Sequence, residues 1–526
     1  MKLFSVRWLV LPLAVLGGLS LAAQSAQHLA VPRQSEAANL ERKATITQLD
    51  SIPTFQISGP APNYAGSKIC NGCHLNVCSY VANTPHAKAF SNPTFVAMGG
   101  QRNSSCLPCH TVGYGVPTGF VSATATPQLE GVQCENCHGP AANHAASEDD
   151  PAVRPSVDIA ATVCGGCHAA NTAYTNPPTF EEWSASGHSA VVPGALSAMA
   201  SAVNNLNSCG VCHSGSARLA FINGANPATT VAKDYDVAIT CVVCHDPHAI
   251  NPLAPAQLRN PLSSFKDFHL TSAAVASVSA FTSQYNANAK INLCAQCHND
   301  RGAGWTDTAS PPHHSLQYNL LLATVGELAP FYPRYQAAHA GLPESADFSS
   351  SGTFYLTNQC ASCHMQADAP AGAPRHTFAV ATNVCANCHN LSELPALPMT
   401  AYAPGLSNQV AGVIATLNQW AATKAPASLT AKGAVAWEYP TADGLSWQTN
   451  GFGELVGWTQ AEPGPANFNG PAEALQSTLT DYPGILKARF NLYLVLNDGS
   501  MGAHNWLYSA FLLDSAQYFV EQELNK

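Results

Sequence analysis

The stretch Cys241-Val-Val-Cys-His-Asp-Pro-His248 carries two cysteines and two histidines within eight residues. Two residues separate the cysteines, and the first histidine follows the second cysteine directly. Thiolates and imidazoles are common metal ligands, so the group indicates a metal centre. It also raises the question of whether His248 serves the same metal as His245.

The five-residue pattern Cys-x-x-Cys-His recurs along the chain. Eighteen of the nineteen cysteines belong to such motifs, at 70–74, 106–110, 134–138, 164–168, 209–213, 241–245, 294–298, 360–364 and 385–389. The pattern is the attachment signature of haem c. The two thiols add to the two vinyl groups on one edge of the porphyrin, and the next residue can bind the iron as proximal ligand. The sequence therefore predicts nine covalently attached haems c.

The predicted attachment residues are Cys70, Cys73, Cys106, Cys109, Cys134, Cys137, Cys164, Cys167, Cys209, Cys212, Cys241, Cys244, Cys294, Cys297, Cys360, Cys363, Cys385 and Cys388. The predicted proximal iron ligands are His74, His110, His138, His168, His213, His245, His298, His364 and His389. Only Cys78 is left over, and we expect a plain thiol there. The alternatives are zinc half-sites or redox dithiols, but neither requires a histidine directly after every pair.

Ten further histidines lie outside the motifs and outside the first 28 residues. We predict nine of them as distal iron ligands, which matches nine haems: His86, His144, His188, His248, His269, His313, His339, His376 and His504. His313 is preferred over its neighbour His314, and His269 is the weakest member. The alternative for each is a core or surface histidine. Met365 follows its motif too closely to bind that haem from the other face.

His248 follows His245 by three residues and cannot reach over the porphyrin edge to the opposite face of the same iron. As a ligand it must therefore serve a neighbouring haem. The alternative is a surface histidine or one that hydrogen-bonds a ligand. The prediction places two haems side by side.

Composition and the first residues indicate export. Residues 1–26 read as a signal peptide, with Lys2 and Arg7 before the apolar run 8–23 and small residues after it. An uncleaved anchor is the alternative. After removal of the signal we expect a periplasmic or extracellular chain that does not span the membrane. The formal net charge of −10 argues against a nucleic-acid partner and suits a basic redox partner protein.

Four segments are predicted: the signal at 1–26, an extended arm at 27–65, the nine-haem region at 66–390 and a helical cap at 391–526. About 36 residues per haem leave no room for an ordinary apolar core in the third segment, so the haems must form it. In the cap we expect a helix at 407–421 that Ser407 caps, a loop region at 425–480, and helices at 484–496 and 505–524 that return His504 to a haem. A separate helical module is the alternative.

The chain resembles the multihaem cytochromes c. The residues that carry the resemblance are TPHAKAF, CLPCHTVGYG, LEGVQCENCHGPAANH, CVVCHDPH and NDGSMGAHN. That superfamily includes the tetrahaem electron carrier of ammonia oxidisers and the octahaem nitrite, hydroxylamine and tetrathionate enzymes. The resemblance implies an irregular, mostly α-helical fold with extensive loops and little β structure, organised around stacked haems.

Three functions remain open on the sequence. Haems with histidine on both faces pass electrons and leave no position for a substrate, which favours an electron carrier with other cytochromes or an extracellular acceptor as partners. A multihaem oxidoreductase needs at least one five-coordinate haem, and the Cys-x-x-Cys-Lys motif of ammonia-forming nitrite reductases does not occur here. A homo-oligomer or an extracellular cytochrome filament is the third reading.

Overall fold

The structure is a computed structural model that describes residues 63–170, 177–248, 255–259, 293–334, 360–366, 374–380, 385, 398–441, 445–449, 455–460 and 470–526. Up to residue 364 the α-helices are short and separated by loops. They span Ser67–Cys70, Leu75–Val81, Pro93–Ala97, Leu107–His110, Cys134–His138, Ala142–Ala146, Ala161–His168, Thr179–Ser184, Pro193–Ser201, Gly210–His213, Gly215–Ile222, Pro227–Thr230, Cys241–Cys244, Gln317–Leu321 and Cys360–His364. Single 3₁₀ turns lie at Gly100–Arg102, Pro127–Leu129, Pro151–Val153, Gly187–Ser189, Val203–Asn207 and Pro255–Gln257. The predicted mostly α, loop-rich fold is confirmed.

The attachment motifs form helical turns. In one example the His245 backbone N–H donates to the Cys241 carbonyl at 2.9 Å, and His74 makes the same bond to Cys70 at 2.9 Å. Residues three and four apart share one face of a helix. A single turn therefore brings both thiols and the following imidazole to the same side.

Three long helices follow the motif region: the first long helix Pro398–Thr423, the second Pro483–Asp498 and the third Trp506–Leu524. The predicted start of the first at Ser407 is wrong, because the helix begins at Pro398 and Ser407 lies inside it. Proline suits the first helical position, where its missing N–H would have no partner. The predicted inner face is confirmed: Val410, Val413, Ile414, Leu417 and Trp420 are all buried.

The apolar core lies between these helices. The second and third long helices pack on each other, and the first packs on the third. Tyr493, Leu512 and Trp420 are fully buried there, and Leu316 and Leu320 join from the segment after the seventh motif. Short helices at Ala427–Thr430 and Glu473–Gln476 and 3₁₀ turns at Gly433–Val435 and Ser477–Asp481 complete the unit.

A two-stranded antiparallel sheet lies within the region predicted as loop, so that prediction is wrong there. Strand β1 spans Leu445–Thr449 and β2 spans Leu455–Gln460, with Trp447 opposite Trp458. Tryptophan, leucine and valine favour strands. The Asn-Gly pair at 450–451 is a hairpin signal that the composition of this region obscured.

A small second cluster lies among the first motifs. It consists of Phe90, Leu107, Val112, Phe120 and Leu129. Across the described residues, no helix combines the length and the apolar character needed to cross a membrane.

Candidate haem-binding histidine pairs

Seven motif histidines each lie opposite a second histidine. We number the sites 1 to 9 in the order of their motifs. The ring centroids are 6.5 Å apart for His74 and His144 (site 1), 5.9 Å for His138 and His248 (site 3), 6.1 Å for His168 and His86 (site 4), 6.0 Å for His213 and His313 (site 5), 6.3 Å for His245 and His376 (site 6), 6.2 Å for His298 and His188 (site 7) and 6.3 Å for His364 and His504 (site 8).

These separations fit two imidazoles on opposite faces of one iron. A metal–imidazole bond is about 2 Å long, and two such bonds in line put the ring centres about 6.3 Å apart. Aromatic pairs in direct contact spread over centroid distances of about 4.5 to 7 Å, whereas these seven pairs fall within 5.9 to 6.5 Å. The residues present therefore suit an iron centre at each of the seven sites.

The second ring nitrogen of the motif histidines has an acceptor at five sites. Nδ1 lies 3.0 Å from the Ala89 carbonyl at site 2, 2.6 Å from Ser156 at site 3, 2.7 Å from Ala256 at site 6, 3.3 Å from Gln317 Oε1 at site 7 and 2.8 Å from Phe378 at site 8. A ligating histidine typically donates its free N–H in this way. The bond fixes the tautomer and leaves Nε2 for a metal.

Burial keeps several of these imidazoles neutral, which is the form that binds metal. Burial first, and then His298, lowers the pKa of His188 to about 4. Burial, with His314 and Arg301 adding, lowers the pKa of His213 to about 4.

Site 8 has a carboxylate behind its second histidine. His504 Nδ1 lies 2.6 Å from Asp498 Oδ1, and the Asp498 side chain is 1% exposed. Burial acts to lower the pKa of His504, but the charge and hydrogen bond of Asp498 outweigh it, so the pKa is raised. Asp498 ends the second long helix and His504 lies just before the third. The packing of these helices therefore aims His504 at the Cys360–His364 turn.

His248 lies against site 3 and not site 6. Its ring is 5.9 Å from that of His138 and nearly parallel to it, at 5°. Its backbone N–H donates to Asp246 Oδ1 at 3.0 Å. Arg259 pairs with Asp246 at 3.4 Å and holds the turn after the motif. The predicted ligand His248 therefore follows the motif of site 6 in the sequence but lies opposite the motif histidine of site 3.

Two histidines compete at site 5. The ring of His314 lies 6.3 Å from His213, almost as close as that of His313, and the three histidines form a metal-binding constellation. His313 Nδ1 is 2.9 Å from Ser315 Oγ, which itself donates to the Asn299 carbonyl at 2.8 Å. His313 is half-buried and His314 is exposed. The fixed ring orientation favours His313 over His314, and its role as a ligand stays a prediction.

Site 2 differs from the others. Among the described residues, no second imidazole faces His110; instead the ring of Phe95 stacks on it at 3.9 Å and 6°. The His110 carbonyl accepts the Gly131 N–H at 3.1 Å, and the next residue, Val132, donates to the carbonyl of His86 at 3.0 Å. Gly131 and Val132 thus hold the backbones of His110 at site 2 and His86 at site 4 close to each other.

Sulfur atoms of different motifs also lie close together: Cys70 and Cys134, Cys109 and Cys167, Cys164 and Cys241, Cys212 and Cys297, and Cys294 and Cys360. The remaining cysteine, Cys78, is buried and lies beside Cys134.

Four predicted residues fall outside the described residues: Cys388, His389, His269 and His339. The ligand roles at site 9 therefore stay predictions.

The groups that support the histidines were not predicted, and Asp498, Ala256 and Phe378 are three of them. The first lies in Asn497-Asp-Gly-Ser500, which reads as an ordinary helix-ending turn. The other two act through backbone carbonyls, which any residue supplies. The sequence therefore held no signal for them.

The family model for "Cytochrome c554 and c-prime" matches residues 69–139. Cytochrome c-554 of Nitrosomonas europaea is 31% identical in an alignment 100 residues long, and the match covers 16% of this chain and 42% of that protein. The chain thus matches less than half the length of this curated relative.

Two solved structures share the fold. The outer cell wall cytochrome OcwA aligns over 87% of this chain and 99% of its own, with a TM-score of 0.51 and 17% identity. An undecahaem cytochrome from the S-layer of Carboxydothermus ferrireducens aligns over 91% of this chain and 72% of its own, with a TM-score of 0.50 and 18% identity. Together with the family match, these findings support the multihaem c-type cytochromes as the class of this chain, with haem c as cofactor.

Proposed function

We propose that this chain is an exported nine-haem electron carrier in which most irons bind histidine on both faces. The observation that carries the proposal is the set of seven histidine pairs with centroids 5.9 to 6.5 Å apart. An iron with two imidazole ligands has no open position, so its function is to accept and release electrons. The protein supplies the axial ligands, their hydrogen bonds and the spacing between sites.

The thiol contacts support an order for the sites. Cys70 meets Cys134, which links sites 1 and 3. Charge interaction of Cys137 with the fourth motif links 3 to 4, and Cys164 with Cys241 links 4 to 6. Cys244 interacts through charge with Cys297 of the seventh motif, and Cys294 of that motif lies close to Cys360 of the eighth, which continues the row to sites 7 and 8.

Two sites lie beside this row. Site 2 joins site 4 through Cys109, and site 5 joins site 7 through Cys212. The Cys212 Sγ also lies 3.8 Å from the carbonyl of Gln296, inside the seventh motif. The proposed path for electrons is therefore 1–3–4–6–7–8 with branches at 2 and 5. Redox partner proteins or an extracellular acceptor would meet the path at its ends.

Electron paramagnetic resonance of the oxidised holoprotein tests the proposal, together with intact mass for the haem count. We expect nine haems and low-spin iron at all seven paired sites. His144→Ala should convert one low-spin signal into a high-spin one, whereas Phe331→Ala, whose ring contacts Tyr332 and Tyr518, should leave the spectrum unchanged. High-spin iron at several sites of the unaltered protein would contradict the carrier function.

One observation favours a second function. Among the described residues, the His110 ring stacks on the Phe95 ring, and no second imidazole lies opposite it. A five-coordinate iron there would offer a position for a small ligand such as nitrite or hydroxylamine, as an oxidoreductase requires. One high-spin signal in the unaltered protein that shifts when nitrite is added would support this function. A spectrum without high-spin iron would exclude it.

A further inference from the structure

Phe378 contacts histidines of three different sites. Its carbonyl lies 2.8 Å from His364 Nδ1 at site 8. Its ring centroid lies 4.5 Å from that of His188 at site 7, with an angle of 81°. The ring of His376 at site 6 lies 6.0 Å away, at 77°. One residue thus touches sites 6, 7 and 8 with two different parts of its structure.

The backbone at Phe378 is strained. Its φ is +53°, in the left-handed region that bulky residues rarely adopt. Such a conformation is unfavourable and persists only where the surroundings impose it. Ala256, whose carbonyl serves His245 at site 6, has the same conformation, with a φ of +56°. In both cases the unusual turn presents a carbonyl oxygen to a motif histidine.

The segment before Phe378 is tied to a neighbouring helix. Glu182, in the helix Thr179–Ser184, pairs with Arg375 at 3.2 Å and accepts the His376 backbone N–H at 2.7 Å. The next residue of that helix, Trp183, donates its indole N–H to the Ile239 carbonyl at 2.9 Å, just before the sixth motif. These bonds fix the position of the Phe378 ring relative to sites 6 and 7.

We propose that Phe378 is the positioning residue of a junction between sites 6, 7 and 8. This rests on the proposed function, because it takes His188, His376 and His364 as iron ligands. The two edge-on ring contacts hold the planes of His188 and His376, and the carbonyl holds the tautomer of His364. The angle between two axial imidazoles sets the anisotropy of a low-spin ferric signal. The Phe378 ring therefore controls the low-spin signals of sites 6 and 7, and the Phe378 carbonyl controls the signal of site 8.

The test uses the holoprotein with Phe378→Ala, Phe378→Leu and Phe378→Tyr, read by electron paramagnetic resonance. Alanine and leucine should both shift the low-spin signals of sites 6 and 7 and leave site 8 unchanged, since the carbonyl remains; leucine keeps the bulk if alanine impairs folding. Phe378→Tyr keeps the aromatic ring and should give the same low-spin signals as the unaltered protein. His188→Ala and His376→Ala assign the signals, because each should remove one.

Backbone and ring effects are separated by two further variants. Phe378→Gly removes the ring, but glycine adopts the left-handed φ without strain and keeps the carbonyl, so it should shift the signals of sites 6 and 7 and leave site 8 unchanged. Ala256→Gly, which removes neither a ring nor the carbonyl that His245 contacts, should leave the signal of site 6 unchanged. Phe331→Ala, an exposed ring in contact with Tyr332 and Tyr518, is the control and should change no signal.

Superimposable spectra for the unaltered protein and Phe378→Leu would overturn the junction, as would a shift confined to one site. If His188→Ala and His376→Ala create no high-spin iron, the ligand assignment fails instead, which distinguishes the two proposals.

Discussion

Replacing Asp498 with asparagine should raise the reduction potential of site 8. Asp498 lies 2.6 Å from His504 Nδ1, and its side chain is 1% exposed. Its carboxylate stabilises positive charge on the imidazole and on the metal beyond it, so it favours the oxidised state. The amide keeps the size and an acceptor oxygen but removes the charge.

The magnitude follows from the distance. The hydrogen bond, the imidazole and a metal bond of about 2 Å together put the carboxylate about 7 Å from the iron. At an effective dielectric constant of about 20, one charge at that distance contributes about 2 kcal/mol. For a one-electron couple this corresponds to an increase in potential of roughly 100 mV.

Spectroelectrochemical titration of the holoprotein measures the change. The control is Asp514→Asn in the third long helix, where the carboxylate accepts hydrogen bonds from Tyr332 and Gln409 and, among the described residues, contacts no histidine. We expect one of the nine potentials to rise in Asp498→Asn and none in Asp514→Asn. A titration curve of Asp498→Asn that matches the unaltered protein, with site 8 still low-spin, would refute the argument.

Three further outcomes are expected. His248→Ala should produce high-spin iron at the site of His138, with the haem count unchanged by mass; loss of a ligand at any other site would contradict the pairing. His313→Ala and His314→Ala should each keep site 5 low-spin, because the other ring lies within reach, and only the double variant should become high-spin in the same spectra. Trp420→Ala removes a fully buried side chain and should lower the free energy of unfolding by about 3–5 kcal/mol, measured by denaturant titration.

The sequence alone predicted the sites but not their pairing. Each motif is a local pattern, so its helical turn can be derived from five residues. The pairing depends on long-range folding: His188 lies opposite His298 and His364 opposite His504, each more than a hundred residues along the chain. The periodicity of the sequence does not indicate which histidines so far apart along the chain lie opposite each other. His248 is the exception, because its short tether to His245 excluded the nearer iron.

The long helices show the same division. The apolar face of the first long helix follows from its spacing, whereas its start does not. Ser407 has a side chain that can cap the N-terminus of a helix, but this helix begins at Pro398, so Ser407 lies in its interior. The residues that hold the histidines, such as Phe378, act through backbone oxygens and strained φ values. These depend on the folded surroundings and not on residue type.

The histidine pairs also determine how the chain can be divided. The stretch between His74 and His144 overlaps that between His86 and His168, which overlaps that between His138 and His248. The overlap continues through the pairs of sites 7, 5, 6 and 8. Every cut between residues 74 and 504 therefore separates at least one pair. The motifs repeat like modules, but under the proposed ligation the pairs overlap along the described chain, so any fragment cut between residues 74 and 504 would lose a ligand from at least one site.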